Sequence, residues 1–259
     1  TPKTYKFSDR HIFSDRFMME FQYSHVGNNF ALTFHEEALR DVQPTFEITN
    51  SMNGRSSAES VYVRPTGSVD ITGNYFAPGW LGGDHAFKFG FKYRDDIAHS
   101  ESMTGGDATA RFRSGVASEA NLVRRSITEY GLENRSLYAS DTYTRKKVTV
   151  NLGLRYDYQT DFANGASVPA NPFYGKPTFS GVYVPGTGIS STWAGTYTGT
   201  VFNQLPATTF DGAKAGVAFK NFSPRIGLTY DLTGNGRNVV KLNYSRYASQ
   251  IGTGNLAST

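Results

Sequence analysis

From Val148 to Tyr158 apolar and polar residues alternate without a break. Val148, Val150, Leu152, Leu154, Tyr156 and Tyr158 are interleaved with Thr149, Asn151, Gly153, Arg155 and Asp157. A helix would scatter that apolar set around its circumference, whereas a strand puts all of it on one face. The same period recurs at Phe87, Phe89, Phe91 and Tyr93 against Lys88, Gly90, Lys92 and Arg94. It returns at Ile226, Leu228, Tyr230 and Leu232 against Arg225, Gly227, Thr229 and Asp231, and at Val240, Leu242 and Tyr244 against Lys241, Asn243 and Ser245. Phe17, Met19, Phe21 and Tyr23 alternate with Met18, Glu20, Gln22 and Ser24, Met18 being an imperfection. With weaker segments included, the spacing predicts about eight strands, near 4–12, 17–25, 60–75, 85–94, 132–143, 147–158, 224–232 and 239–248. Across Leu137–Tyr143 the pattern leaves open which parity faces outward.

The connections constrain the architecture further. Tight turns fall around Ser14-Asp15, Gly82-Gly83, Arg145-Lys146 and Gly234-Asn235-Gly236, the last a cluster that accepts the positive φ of a hairpin turn. Long segments at 26–56, 96–130 and 160–222 separate these hairpins, so short and long connections alternate strictly. In an up-and-down meander, that gathers the tight turns at one end and the long loops at the other. Outer-membrane barrels show this one-sidedness, with short periplasmic turns and long extracellular loops. About 10 residues at ~3.3 Å each, tilted ~45°, span roughly 23 Å, close to the apolar band of such barrels. Tyr23, Tyr93, Tyr156 and Tyr158 near strand ends fit an interfacial girdle. The competing reading is a soluble β-protein whose apolar face packs on a second sheet.

Composition is compatible with both. Of the 259 residues 38% are hydrophobic and 14% aromatic, which excludes wholesale disorder. No run approaches the roughly 18 apolar residues of a membrane-spanning helix. Alternating strands, however, vanish in an averaged hydropathy, here -0.43. The lack of cysteine removes disulfide scaffolds, Cys-zinc sites and thiol catalysis, without fixing the compartment. A net charge of +4, from scattered basic residues, is no nucleic-acid footprint. The first residues, Thr1-Pro2-Lys3-Thr4, carry neither Met nor the apolar core of a signal peptide, so a mature or excised chain is expected.

No constellation for catalysis emerges. His35-Glu36-Glu37 is the one His/carboxylate cluster and lies in a long loop, so neither a metal nor a cofactor is expected. There is no GxSxG elbow. Gly252-Thr253-Gly254-Asn255-Leu256-Ala257 matches GxGxxA without a surrounding βαβ unit and reads as chance. Asp157 and Asp231 share faces with Arg155 and Arg225, and so read as a charge ladder rather than an acid/base pair. The chain is not expected to be an enzyme.

At these strands the sequence resembles a known family. Gly82-Gly83-Asp84-His85-Ala86-Phe87-Lys88-Phe89-Gly90-Phe91-Lys92-Tyr93-Arg94 is similar to the GxHxxKFGxxYR hairpin of TonB-dependent outer-membrane receptors, especially their Oar-like group. Ser136-Leu137-Tyr138-Ala139-Ser140-Asp141-Thr142-Tyr143 followed by Asn151-Leu152-Gly153-Leu154-Arg155-Tyr156-Asp157 resembles their YxQDxW…LNLGLRYD pair, with Tyr143 where Trp is usual. Phe222-Ser223-Pro224-Arg225-Ile226-Gly227-Leu228-Thr229-Tyr230-Asp231-Leu232 with Val240-Lys241-Leu242-Asn243-Tyr244-Ser245-Arg246-Tyr247 resembles SPRxGxxYDxxGxGxxxxxxxYxRY. The resemblance implies an all-β, antiparallel, up-and-down transmembrane β-barrel segment in a Gram-negative outer membrane. It covers most of the chain outside the long loops. No plug domain, TonB-box or terminal aromatic residue is recognisable, so a middle section of a larger barrel is expected. The implied partners are outer-membrane lipid, the plug and other strands of the same receptor, TonB acting through that plug, and an unidentified extracellular ligand. Nucleic acid is not among them.

A barrel slice requires Phe89, Phe91, Val150, Leu152, Leu154, Leu228 and Leu242 to face lipid. Lys88, Lys92, Arg94, Arg155, Asp157, Arg225, Asp231 and Lys241 then face the lumen. An independent eight-strand barrel has a dry, side-chain-filled interior in which this excess of cations is costly, and a wide wet lumen tolerates it. The first and last strands of a slice are expected to be free edges. Phe173, Tyr174, Tyr183, Trp193 and Tyr197 in the longest loop are candidate ligand contacts. Two other function classes remain open at this stage: a non-transport outer-membrane adhesin or structural subunit, and a soluble aromatic-rich carbohydrate-binding protein.

Overall fold

The structure, a computed structural model, describes residues 3–54, 58–172, 178–182, 194–198 and 205–252. The alternating segments become strands. In chain order the first are β1 (Thr4–Ile12), β2 (Phe17–Val26), β3 (Asn29–Leu32), β4 (Thr45–Glu47), β5 (Met52–Asn53) and β6 (Ala58–Val63). Next come β7 (Thr66–Ala77), β8 (Asp84–Thr104), β9 (Ala108–Arg113), β10 (Val116–Leu122), β11 (Ser126–Arg145) and β12 (Val148–Ala163). The last are β13 (Ala166–Val168), β14 (Thr178–Val182), β15 (Ala194–Thr198), β16 (Thr208–Phe210), β17 (Ala213–Asp231) and β18 (Val239–Ser245). Among the described residues, helical structure is limited to 3-10 turns at Glu37–Asp41, Trp80–Gly82 and Gly105–Asp107.

The main sheet runs β1-β2-β7-β8-β11-β12-β17-β18 with every neighbouring pair antiparallel. This is the up-and-down meander that the alternating connections predict. Among the described residues β1 and β18 each pair on one side only, so the sheet stays open with two free edges.

Antiparallel partners point to the same face, so register carries parity from strand to strand. One row reads Phe21, Ile71, Phe91, Leu137, Tyr156 and Phe222. The adjacent row, on the opposite face, reads Gln22, Asp70, Lys92, Ser136, Asp157 and Asn221. The register places Phe89, Phe91, Val150, Leu152, Leu154, Leu228 and Leu242 together on the apolar face. Lys88, Lys92, Arg94, Arg155, Asp157, Arg225, Asp231 and Lys241 fall on the other. The parity of Leu137–Tyr143 is settled as well: Leu137, Ala139, Asp141 and Tyr143 join the apolar face.

That apolar face has no second layer over it. Leu152 and Leu154 are each 51% exposed and Leu242 63%, at positions where a soluble sandwich would bury them. Packing within the face is lateral. Phe89 lies across Gly73, where a Cβ would come within 2.5 Å of its ring. On the opposite face Tyr138 crosses Gly90 in the same way and reaches Thr72 Oγ1 at 2.7 Å. Both glycines are therefore set by a close approach.

Several strands exceed the alternating segments. β8 has 21 residues, β11 has 20 and β17 has 19. Their far halves carry polar residues on both faces, as at Asp95, Asp96, His99, Ser100 and Glu101, so no period-2 signal marks them. The segments at 96–130 and 160–222, read from sequence as loops, thus begin and end in ordered strand. The segment near 60–75 divides at Arg64-Pro65 into β6 and β7, because proline lacks the N–H that a continuous ladder needs. β6 pairs with β3 and with the far half of β8.

Turn chemistry fixes the other end. Lys146, at φ 51°, makes the β11–β12 hairpin, in which Arg145 pairs with Val148. The β17–β18 turn has Gly234 at φ 76° and Gly236 at φ 74°, both donating to the Asp231 carboxylate at 2.8 Å.

Candidate functional site

Two surfaces carry chemistry: the polar face of the sheet and the end where the long loops meet. On the polar face, cations and carboxylates pair mainly along or between neighbouring strands. Arg155 Nε donates to Asp157 Oδ1 at 2.9 Å and to Oδ2 at 3.0 Å, and Nη2 donates to Ser136 Oγ at 2.9 Å. Ser136 in turn donates to Asp157 Oδ1 at 2.6 Å. Lys92 Nζ lies 3.1 Å from Asp70. Arg94 lies 2.9 Å from Asp96, whose Oδ1 also accepts Thr66 Oγ1 at 2.7 Å. Charge-assisted contacts of this kind order a wet surface while leaving it charged.

Two details differ from the sequence reading. Asp231 forms no ladder with Arg225. Its carboxylate accepts backbone N–H groups of Thr233, Gly234 and Gly236, because a tight Gly-containing turn presents those donors to the residue that opens it. Arg225 instead packs its guanidinium 5.0 Å from the ring centroid of Tyr247. The cation excess on this face is also smaller than the strongly periodic segments alone imply, since Asp70 and Asp96 share the face. Asp70 sits in a segment of weak alternation and Asp96 beyond the apolar period of β8.

A carboxylate also stands among the large apolar side chains near the tight turns. Asp141 occupies the row of Tyr75, Phe87, Leu152, Ile226 and Tyr244, and its Oδ2 is 2.6 Å from His85 Nδ1. The His85 ring is stacked at 5.4 Å on Phe87 and packed 4.8 Å from Trp80 and 4.7 Å from Tyr143. An aromatic enclosure thus shields a His–Asp pair near the tight-turn end. Sequence reading missed it because the parity of Asp141 was open.

At the other end the long loops join. β4, from the first long loop, pairs in parallel with β9 of the second, extending to a sheet of order β10-β9-β4-β5. Leu39, Ala108, Ala110 and Phe112 form a small buried core there. Glu47, the last residue of β4 in this sheet, is buried and accepts N–H groups of Thr49 and Ser114 on Oε1 and of Gly115 on Oε2, all at 2.9 Å. Those backbone donors, Thr49 first and Gly115 next, hold its carboxyl down to about 2. The third loop joins through Asn171, whose Nδ2 donates to Asp107 O and Val123 O. Arg124 Nη1 donates to Thr208 Oγ1 at 2.9 Å.

Of the candidate ligand contacts, Phe173, Tyr174, Tyr183 and Trp193 lie outside the described residues. Tyr197 is placed only as a backbone position of β15, opposite Phe179. Within the His35-Glu36-Glu37 cluster, Glu37 accepts Arg40 Nε at 2.6 Å. No group of His, Asp and Glu able to hold a metal occurs among the described residues.

An antiparallel meander with one uncovered apolar face, a charged opposite face and long loops knitted at one end is the architecture of a β-barrel wall. Residues 1–257 match the family described as TonB dependent receptor-like, beta-barrel, and the chain belongs to that family. Two solved structures resemble it, the open and closed forms of the ferric-catecholate import receptor Fiu from E. coli K12. Each is 12% identical, with TM-scores of 0.48 and 0.46 over 94% of this chain. The match covers 35% and 32% of those receptors, so the chain spans about a third of their length. No curated protein matches.

Proposed function

We propose that this chain forms wall strands and ligand-facing loops of an Oar-like, TonB-dependent receptor in a Gram-negative outer membrane. In this reading Phe89, Phe91, Val150, Leu152, Leu154, Leu228 and Leu242 face lipid. Lys88, Lys92, Arg94, Arg155, Asp157, Arg225 and Lys241 face the lumen, where a plug and the remaining strands of the receptor complete the pore. The chain contributes no catalysis: it holds a gated passage for a ligand captured at the joined loops, and TonB acts on the plug. The observation that carries the reading is the uncovered apolar face, continuous by register from β2 to β18. Family membership supports it.

Fractionation of the full-length gene product, followed by photocrosslinking to TonB, tests the proposal. Recovery in the outer membrane, heat-modifiable mobility and a TonB crosslink are expected. Recovery in the soluble fraction without detergent would overturn it, and membrane recovery with no TonB crosslink would favour a non-transport surface protein.

A further inference from the structure

On the polar face Lys92, Arg94 and Arg155 have carboxylate partners, whereas Lys88 and Arg225, near its tight-turn half, have none among the described residues. Lys88, Ser140, Gly153 and Arg225 form one register row across β8, β11, β12 and β17. Tyr138, Arg155 and Ser223 form the same-face row two residues along the strands. The two rows surround a cavity of about 230 Å3 lined by Lys88, Tyr138, Ser140, Arg155, Ser223 and Arg225 over the backbone of Gly153. Among the described residues no carboxylate lies within ion-pair distance of Lys88 or Arg225. Arg155 turns one side of its guanidinium to Asp157 and Ser136, and Nη1 has no partner among the described residues.

The cavity floor is small by sequence rather than by steric need. A Cβ on Gly153 would meet Ser140 Cβ at 3.4 Å and Arg225 Cβ at 3.7 Å, which is ordinary contact, and the residue is not in a left-handed conformation. Glycine therefore keeps open a space that a side chain could fill. Around it stand cationic side chains and hydroxyls, donors suited to a tetrahedral or planar oxyanion. The Tyr247 ring supports the Arg225 guanidinium from one side and holds it in the cavity wall.

We infer that this cradle binds an oxyanion from solution, a phosphate or carboxylate group of a small solute, on the lumen wall. The inference rests on the proposed reading that the polar face lines the lumen, and does not depend on transport. Exposed cations compete with water and salt, so binding is weak and falls as ionic strength rises.

Inorganic phosphate is the probe, titrated into the full-length receptor in nonionic detergent and followed by phosphorus NMR line broadening. The wild type is expected to broaden the signal saturably. Lys88→Gln and Arg225→Gln should each weaken binding by about fivefold to tenfold, the loss of one charged donor. Gly153→Glu, which places a carboxylate inside the cavity, should abolish it. Lys241→Gln removes a same-face cation outside the cavity and should leave the affinity unchanged. Heat-modifiable mobility of each variant checks folding independently. Absence of saturable broadening in the wild type overturns the inference, as does equal weakening by Lys241→Gln or full affinity in folded Gly153→Glu. None of these outcomes bears on the TonB crosslink, so this inference and the proposed function fail separately.

Discussion

The two ends of the same strands are built on opposite principles. Near the tight turns, large apolar side chains such as Leu152, Leu154 and Leu242 point out of the sheet with nothing above them. At the loop end, Leu39, Ala108, Ala110 and Phe112 are buried in a small core, and a carboxylate, Glu47, is clamped by backbone donors. One region leaves its large apolar side chains uncovered, while the other encloses a small interior of its own. In the proposed reading the edge of the apolar band falls within β8 and β11, around Tyr93 and Arg135, where residues of that face change from Phe91 and Leu137 to Asp95 and Glu133. Arg135 marks the change, with its guanidinium 6.0 Å from the Tyr93 ring centroid and 2.8 Å from Glu133.

Charge substitutions on opposite faces of one strand should give the largest effect. Leu152→Arg is expected to cost about 2–4 kcal/mol in lipid vesicles, as a cation at depth in the apolar band. Asn151→Arg, one residue away on the polar face, should cost less than about 1 kcal/mol. Equilibrium urea unfolding in vesicles measures both, and equal costs would break the two-face assignment.

A next-largest effect is expected where the polar face is internally bonded. Asp157→Ala removes the carboxylate acceptor of Arg155 Nε and of the buried Ser136 hydroxyl, leaving Ser136 its longer contact with Asn134 Oδ1 at 3.2 Å. The cost should be about 1–3 kcal/mol, held down by the partial exposure of Arg155. Measured in the same assay, it should exceed that of Lys241→Ala, a cation without an ion pair among the described residues.

Moving the charge to the loop end should sharpen the contrast. Ile127 lies on the same face as Leu137 but opposite Glu101, beyond the apolar band. Ile127→Arg should cost less than about 1 kcal/mol, well below Leu152→Arg. A cost as large would mean that the apolar environment extends over the far halves of the strands.

The smallest effect on global stability, and the most local, concerns Glu47. Backbone donors hold its folded-state carboxyl down to about 2, below its ordinary range, so its stabilisation is present above the unfolded value and is lost as pH falls toward 2. Hydrogen exchange at Thr49, Ser114 and Gly115 should therefore be protected at neutral pH. Protection should fall between about pH 4.5 and pH 2, leaving amides of β12 unaffected. Loss of protection on raising pH would contradict the assignment.

The sequence made the tight-turn half of the fold legible, for a physical reason. Where one face meets an apolar medium and the other water, period-2 alternation is enforced, and Val148–Tyr158 shows it without a break. Beyond Tyr93 both faces of β8 carry polar residues, nothing enforces alternation, and the strand runs on to Thr104 unannounced. The break at Pro65 was carried by a single residue inside an otherwise strand-like stretch. The faces of Lys88, Arg155 and Arg225 could be read from parity, but their meeting around Gly153 depends on register between strands far apart in sequence. Asp141 and His85 were hidden for the same reason. The loop sheet, built from β4, β5, β9 and β10, leaves only the brief Ala108–Arg113 alternation of β9, because its strands are short.

The central claim is that alternate residues of one strand face lipid and water. These 259 residues hold no cysteine, so single cysteines from Val150 to Arg155 can each carry a spin label once any cysteine elsewhere in the full-length protein is replaced. Accessibility to oxygen and to a water-soluble nickel complex should then be measured with the full-length protein in bilayers. Labels at 150, 152 and 154 are predicted to favour oxygen, and labels at 151, 153 and 155 the nickel complex. A uniform profile, or inverted parity, would contradict the account.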